Sequence, residues 1–376
     1  MGLRTASLPD FPWDTLAAVR ARAAEHPGGL VDLSVGTPVD PTPALVREAL
    51  AAAADSPGYP TTHGTPELRE AVVAWFARSR GVPGLDPAAV LPTVGSKELV
   101  ATLPSWLGLG PGDAVVFPEP AYPTYDVGAV LAGAEGVPAS DGGLEALRER
   151  DDVRLVWLNS PGNPDGTVLG VERLAQVVSA ARERGALVVS DECYAELPWV
   201  EPWLSEGVPS VLDPRVTGGD PTGVLAVHSL SKRSNLAGYR AGFVAGDPAV
   251  VAALLEARKH AGMMVPGPVQ AAMVAALEDD EHVREQRERY GVRRELLKEA
   301  FEGAGYVVDG SEAGLYLWVR PEGEQDSLAT LADLAELGIL VAPGSFYTRG
   351  EESHVRVALT APDTKVREAA QRLLGA

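Results

Sequence analysis

The sequence predicts an α/β protein, with a mostly parallel sheet covered by helices on both faces and a smaller α+β domain beside it. Three observations carry this. Helical patterns alternate with short apolar strands through residue 247, as in a wound parallel sheet. Polar clusters follow several apolar runs directly, and ligands of such sheets bind beyond the carboxyl ends of the strands. After Gly246-Asp247-Pro248 the texture changes to long helical stretches and then short strands.

The elements follow in order. The first 30 residues hold proline-rich punctuation and one helix, residues 15–24. Pro66-Glu67-Leu68-Arg69-Glu70 opens a helix with proline first and acids in the first turn, where the dipole favours them. Residues 89–94 read as a strand running into Gly95-Ser96-Lys97, which opens a helix over 98–107. Residues 114–117 and 154–158 are strand-like, and the second leads into the turn-rich Asn159-Ser160-Pro161-Gly162-Asn163-Pro164-Asp165-Gly166. Leu187-Val188-Val189-Ser190 is a short buried strand that delivers Asp191-Glu192-Cys193-Tyr194. Residues 200–221, rich in proline and glycine, read as a loop. Apolar runs at 224–227 and 241–244 flank Ser229-Leu230-Ser231-Lys232 and Arg240. Residues 249–264 are helical. Residues 281–301 form a charged helix with i,i+4 pairing around Glu295 and Glu299. Short strands follow at 315–319, 339–341 and 354–359, with no internal repeat.

Composition bounds the function. The 376 residues suit two domains, and 22% charged with 45% hydrophobic residues is an ordinary soluble mixture. A net charge of −20 argues against nucleic acid, whose phosphates need a basic surface. No apolar run reaches the roughly 18 residues of a membrane span. Met1-Gly2-Leu3-Arg4-Thr5-Ala6-Ser7 has no apolar signal core, and Ala6 stands where myristoylation wants Ser or Thr. The single Cys193 permits no intrachain disulfide and fits a reducing cytoplasm; between Asp191 and Tyr194 it reads as a small buried filler. The six histidines show no metal spacing, and no Gly-x-Ser-x-Gly elbow supports a Ser-His-Asp hydrolase. The acidic runs Glu278-Asp279-Asp280-Glu281 and Glu351-Glu352 read as solvated.

The chemistry centres on Lys232. A lysine at the mouth of a buried sheet is held towards its neutral, nucleophilic form and can make a Schiff base with an aldehyde. Ser229, Ser231 and Arg240 around it are groups that hold a phosphate, and the aldehyde cofactor carrying a phosphate is pyridoxal phosphate. An exposed lysine in a polar loop is the alternative. Asp191 can pair with a protonated pyridine nitrogen and keep the ring an electron sink, Tyr194 is placed to donate to the ring's phenolic oxygen, and Asn163 is a rigidly presented amide for the same oxygen. Helix capping is the alternative for Asp191.

The ordered set Asn159-x-Pro161-x-Asn163-Pro164, Asp191-x-x-Tyr194, Ser229-x-Ser231-Lys232 and Arg240 resembles the class I/II aminotransferases, from about Asp32 to the C-terminus. Phe11-Pro12-Trp13-Asp14-Thr15-Leu16, the run from Val31 to Pro41, and Arg258-Lys259-His260-Ala261-Gly262-Met263-Met264-Val265-Pro266 resemble one branch, the bacterial N-succinyl-LL-diaminopimelate aminotransferases. The resemblance implies the pyridoxal-phosphate-dependent transferase fold type I, with a mostly parallel seven-stranded sheet. Residues 1–35 would complete a small domain formed by 248–376, and 36–247 would form the large cofactor-binding domain. It implies a phosphate cup from the backbone amides of Ser96 and Lys97 opposite Ser229, Ser231 and Arg240, and a ring stacked on Tyr122. Arg356 would grip the substrate α-carboxylate, with Gly36 lying against the substrate. Tyr59 would reach the phosphate of a neighbouring subunit, making a homodimer with shared sites. The implied substrates are glutamate and N-succinyl-2-amino-6-oxopimelate. Another aminotransferase (aspartate, aromatic or prephenate) or a pyridoxal-phosphate lyase would carry the same cofactor motifs. Residues 258–264 are the candidate for reading the distal succinyl group.

Overall fold

The computed structural model describes residues 8–350 and 352–375. The readings of residues 1–7 and of Glu351 lie outside the described residues. In chain order the strands are β1 (Val31–Asp32), β2 (Val90–Val94), β3 (Ala114–Pro118), β4 (Glu135–Ala139), β5 (Val153–Asn159), β6 (Leu187–Asp191), β7 (Val224–Ser229), β8 (Ala241–Gly246), β9 (Tyr306–Asp309), β10 (Tyr316–Pro321), β11 (Ile339–Leu340), β12 (Ala342–Pro343) and β13 (Val355–Ala358).

Seven of these make one sheet in the order β2-β8-β7-β6-β5-β3-β4. The pairs from β7 to β4 are parallel, and β8 runs antiparallel to both its neighbours. The strands are apolar on both faces because helices cover both. Side chains alternate across each strand. Val188 therefore joins a core with Trp75, Phe76 and Leu174, while Leu187 and Val189 join another with Leu99, Leu103 and Tyr125. The same alternation puts Asp191 on the Tyr125 side and sends Glu192 to the opposite face. On β7 it separates Ser229 from His228, which packs among Trp75, Phe76 and Phe243.

A four-stranded antiparallel sheet, β12-β13-β10-β9, forms the smaller domain. The long helix Glu281–Gly303 and the helices Ser327–Glu336 and Asp363–Leu374 pack around its core. The chain start is tied in here. β1 pairs in parallel with β11, and Arg372 donates to the Gly29 and Gly338 carbonyls at 2.8 and 3.1 Å.

Residues 200–221 are not simply a loop, for they hold the short helices Trp203–Glu206 and Pro214–Thr217. Asp213 accepts from Arg215 N, and Pro214 stands first in the turn, a start signal hidden in a proline-rich stretch. On Glu281–Gly303 the i,i+4 ion pairs are Arg284–Glu288, Glu285–Arg289 and Lys298–Glu302, while Glu295 pairs with its neighbour Arg294. No described helix is long and apolar enough to cross a membrane.

Candidate active site

A cavity of about 470 Å³ opens where β5, β6 and β7 end, beside the start of the helix Ser96–Trp106. At the end of β7, Ser229 Oγ accepts from Ser231 N and lies 2.8 Å from Ser231 Oγ. This capped turn starts the helix Leu230–Arg233 and aims Lys232 into the cavity. Lys232 Nζ donates to the Gly36 carbonyl. Burial lowers the lysine pKa; Arg356 and Arg240 push the same way, against Tyr316 and Cys193.

β6 delivers Asp191, whose partners are Tyr125 Oη at 3.1 Å and Cys193 N at 3.2 Å. Burial raises its pKa, against the hydrogen bonds from Cys193 and Tyr125 and the pull of His228. Neighbouring β5 ends in Asn159, in register with Asp191. Asn159 Nδ2 donates to the Asp191 and Pro161 carbonyls, and its Oδ1 accepts from Asn163 N at 2.8 Å. One amide thus ties the Asn163 loop to the aspartate strand.

Asn163 Oδ1 accepts from Arg356 Nη1 at 2.9 Å, and Arg356 Nη2 donates to the Ser34 carbonyl. Arg356 is 2% exposed on β13, its Nε has no partner, and no acid pairs with it among the described residues. Its guanidinium lies 3.9 Å from the ring centroid of Tyr316 and 4.9 Å from that of Tyr347.

Gly95 precedes the helix Ser96–Trp106 with φ +73°, and a Cβ there would lie 2.3 Å from Arg240 Nη2. Only glycine permits both that backbone and that approach. Arg240 is held by the Ala237 carbonyl at 2.9 Å. Lys97 Nζ lies 5.2 Å from the Phe11 ring and 5.9 Å from the Tyr122 ring; burial and then Arg240 lower its pKa. Burial pushes the Tyr122 phenol up to about 12.

The cavity therefore gathers Gly36, Ser96, Lys97, Tyr122, Asn163, Asp191, Tyr194, Ser229, Ser231, Lys232, Arg240 and Arg356, every expected site residue except Tyr59. Tyr59 stands apart and 96% exposed. Two expectations need correction. Cys193 is no mere filler: it lines the cavity, its Sγ 3.4 Å from Ser96 Oγ. The segment 258–264 does not line it either. Arg258 is wholly buried in a two-armed pair with Glu98, and exposed Lys259 pairs with Glu256. Glu98 sits in the first turn of the neighbouring helix, a partner that sequence distance conceals.

Tyr125, Tyr316 and Arg20 also line the cavity and escaped the sequence reading. Tyr125 follows Tyr122 by three residues, at the start of the helix Thr124–Ala132, and that spacing was its only signal. Tyr316 alternates with Leu317 along β10, where its inward direction was legible but its target was not. Arg20 lies on the early helix Ala17–Ala24 and pairs with Asp32 at 2.5 Å.

The family model for aminotransferase class I and II matches residues 29–373. A 4-dedimethylamino-4-oxo-anhydrotetracycline transaminase, OxyQ, of Streptomyces rimosus is 57% identical, covering 97% of this chain and 99% of its own. A probable aminotransferase of Mycobacterium tuberculosis is 60% identical, with 98% and 86% covered. An LL-diaminopimelate aminotransferase of Desulforudis audaxviator is 34% identical, with 99% and 96% covered. Among solved structures, an aminotransferase from Neisseria meningitidis has a TM-score of 0.87 at 31% identity, with 98% and 97% covered. Substrate-bound BacF from Bacillus subtilis has a TM-score of 0.86 at 26% identity, with 100% and 98% covered. Likeness over nearly the whole chain, in sequence and in fold, places this chain in the class I and II aminotransferases, a family dependent on pyridoxal phosphate.

Proposed function

We propose that this aminotransferase moves an amino group between glutamate/2-oxoglutarate and N-succinyl-2-amino-6-oxopimelate, in diaminopimelate and lysine biosynthesis. One observation carries the reading. In a chain of net charge −20, Lys97, Lys232, Arg240 and Arg356 line one cavity, and none pairs with an acid among the described residues. Such a cavity suits a cofactor phosphate together with substrates bearing several carboxylates. Relatives named LL-diaminopimelate aminotransferases favour the C7 acceptor.

The residues fit the cofactor. Gly95 makes room for Arg240 at a helix start, where free amides of Ser96 and Lys97 favour an anion. Ser229 and Ser231 hydroxyls stand opposite. Asp191 is a buried carboxylate without a cation, the place for a protonated ring nitrogen. When bound, pyridoxal phosphate supplies an electron sink for charge developing at the substrate Cα.

The chain does the rest. Lys232 Nζ, depressed in pKa, is the amine that would hold the cofactor's aldehyde, and as a free amine it would take and return a proton at the substrate Cα. Asp191 would hold a proton on the ring nitrogen. Asn163 and Tyr194 would donate towards the ring oxygen, and Tyr122 would cover the ring. Arg356, its Nε free and its other arms fixed by Asn163 and Ser34, orients the α-carboxylate against Gly36. Displacement of Lys232 from the Gly36 carbonyl frees that carbonyl to face the substrate.

The reading includes a homodimer whose Tyr59 crosses to the neighbouring phosphate, which accords with a ring almost wholly in solvent. It divides the chain into residues 1–35 and 248–376 as the small domain and 36–247 as the large one, and the β1–β11 pairing supports that division. It places the enzyme in the cytoplasm.

The likeness to OxyQ favours a second reading, a bulky ketone acceptor. A half-reaction screen separates the two. Glutamate should bleach the cofactor absorbance, and N-succinyl-2-amino-6-oxopimelate should restore it faster than oxaloacetate, phenylpyruvate, prephenate or a polycyclic ketone. Restoration by one of the others alone would overturn the acceptor; no response to any amino donor would overturn the reaction.

A further inference from the structure

We propose that Tyr316 is a positioning residue for this reaction, setting the strength of the hydrogen bond that Tyr194 gives the cofactor's ring oxygen. The inference rests on the role of Tyr194 above. The two phenol oxygens lie 3.3 Å apart, both rings are buried, and the rings meet edge to face at 5.8 Å. When Tyr194 spends its proton on the cofactor, its oxygen must accept, and Tyr316 is the donor within reach. Each bond in such a chain strengthens the next.

The surroundings hold the phenol in that role. Arg356 of β13 lies against its ring at 3.9 Å. A Cβ on Gly36 would fall 2.2 Å from Tyr316 Oη, so the glycine makes room for the hydroxyl. Lys232 donates to the carbonyl of that glycine, which brings lysine, glycine and phenol together. The titratable and charged groups facing Tyr316 include Arg356, Lys232 of the helix Leu230–Arg233, Tyr194 and Cys193 after β6, and the phenols of Tyr122, Tyr290 and Tyr347. Burial is the largest effect and would raise its pKa, but the Arg356 and Lys232 charges together with the Tyr194 hydrogen bond outweigh it and hold the phenol below the usual tyrosine value. A more acidic phenol is a stronger donor.

The test reads the pH at which the Schiff base with Lys232 loses its proton, followed by visible absorbance. Negative charge on the ring oxygen is greatest after that loss, so a stronger donor to this oxygen lowers the midpoint. Tyr316→Phe keeps the ring against Arg356 and removes only the hydroxyl. The midpoint should rise by roughly 0.3 unit, the scale of a modest weakening of one charge-assisted bond. Tyr194→Phe should raise it further, and adding Tyr316→Phe to that variant should change nothing. An unmoved midpoint in Tyr316→Phe, or the same extra shift in the Tyr194→Phe background, overturns the proposal. Placing 3-fluorotyrosine at position 316, a more acidic phenol, should move the midpoint down; this arm decides the matter if Tyr316→Phe fails to fold. Wild-type enzyme without any Schiff-base absorbance would sink the cofactor role of Lys232 instead, a distinct outcome.

Discussion

Asp191 and Lys232 make opposite demands on one small space. A carboxylate in a buried site is pushed towards neutrality, and so is an amine; each is costly alone and useful once the cofactor arrives. Asp191→Ala should keep the fold, since among the described residues its carboxylate accepts only from Tyr125 Oη and Cys193 N, and the bonds to its carbonyl survive. It should lose ~3 kcal/mol of transition-state stabilisation, about a hundredfold in turnover. Near-normal turnover would remove Asp191 from the chemistry. For Lys232 the sign follows from the neutral amine being the nucleophile. Its lowered pKa means that capture of pyridoxal phosphate by the apoenzyme should speed up with rising pH and level off below the ordinary lysine value of 10.5. Stopped-flow traces that still climb at that pH would refute the depression. Both residues were legible in the sequence because each follows an apolar strand. Tyr316 and Tyr125 were not, because their meaning depends on which strand or helix lies opposite.

At the scale of elements, strand ends were easier to read than partnerships. Alternation of strand and helix located β2, β3 and β5 to β8 to within a residue or two. It missed β4, whose Glu135–Ala139 has glycine and proline where a strand is expected to carry branched residues. Arg258 was read with residues 258–264 as a candidate for the distal succinyl group, yet it is the bolt between the helix Pro248–Ala261 and the first turn of Ser96–Trp106. Arg258→Ala leaves Glu98 uncompensated, with only 17% of its side chain exposed. Removing one partner of a buried pair destabilises by about 3 kcal/mol. Denaturant midpoints should fall accordingly, with KM for glutamate little changed because Arg258 does not touch the cavity. An unchanged midpoint would show the pair to be idle.

For the whole molecule, the division into a wound sheet and an α+β unit was visible in the change of texture after residue 247. The return of the chain start to the second unit was expected from the family resemblance and not from local pattern, because a two-strand pairing between β1 and β11 leaves almost no pattern in sequence. Assembly is the corresponding prediction. Mixing a Tyr59→Phe chain with a Lys232→Ala chain should give hybrid dimers in which one site regains Lys232 and a foreign Tyr59 together. Activity should recover towards a quarter of wild type if chains assort at random, each of the half of dimers that are hybrid having one intact site. A fully active monomer by light scattering would refute shared sites.

The four acid-free cations of the cavity have a consequence for the empty enzyme. Like charges held in a shared low-dielectric space repel, and although Asp191 lines the same cavity, it forms no ion pair with any of them among the described residues. Stripped of its cofactor, the protein should melt earlier and recover when a simple anion is supplied. Inorganic phosphate at a hundred times its dissociation constant would restore about 2.7 kcal/mol by mass action alone. Neutral osmolytes should not reproduce that recovery at matched concentration, and chloride should do so only weakly. Identical melting of stripped and loaded protein would mean that the repulsion is absorbed elsewhere. If the difference is found, anion-free buffer is the condition under which this enzyme ages fastest, and a bound phosphate is as much a part of its durability as of its chemistry.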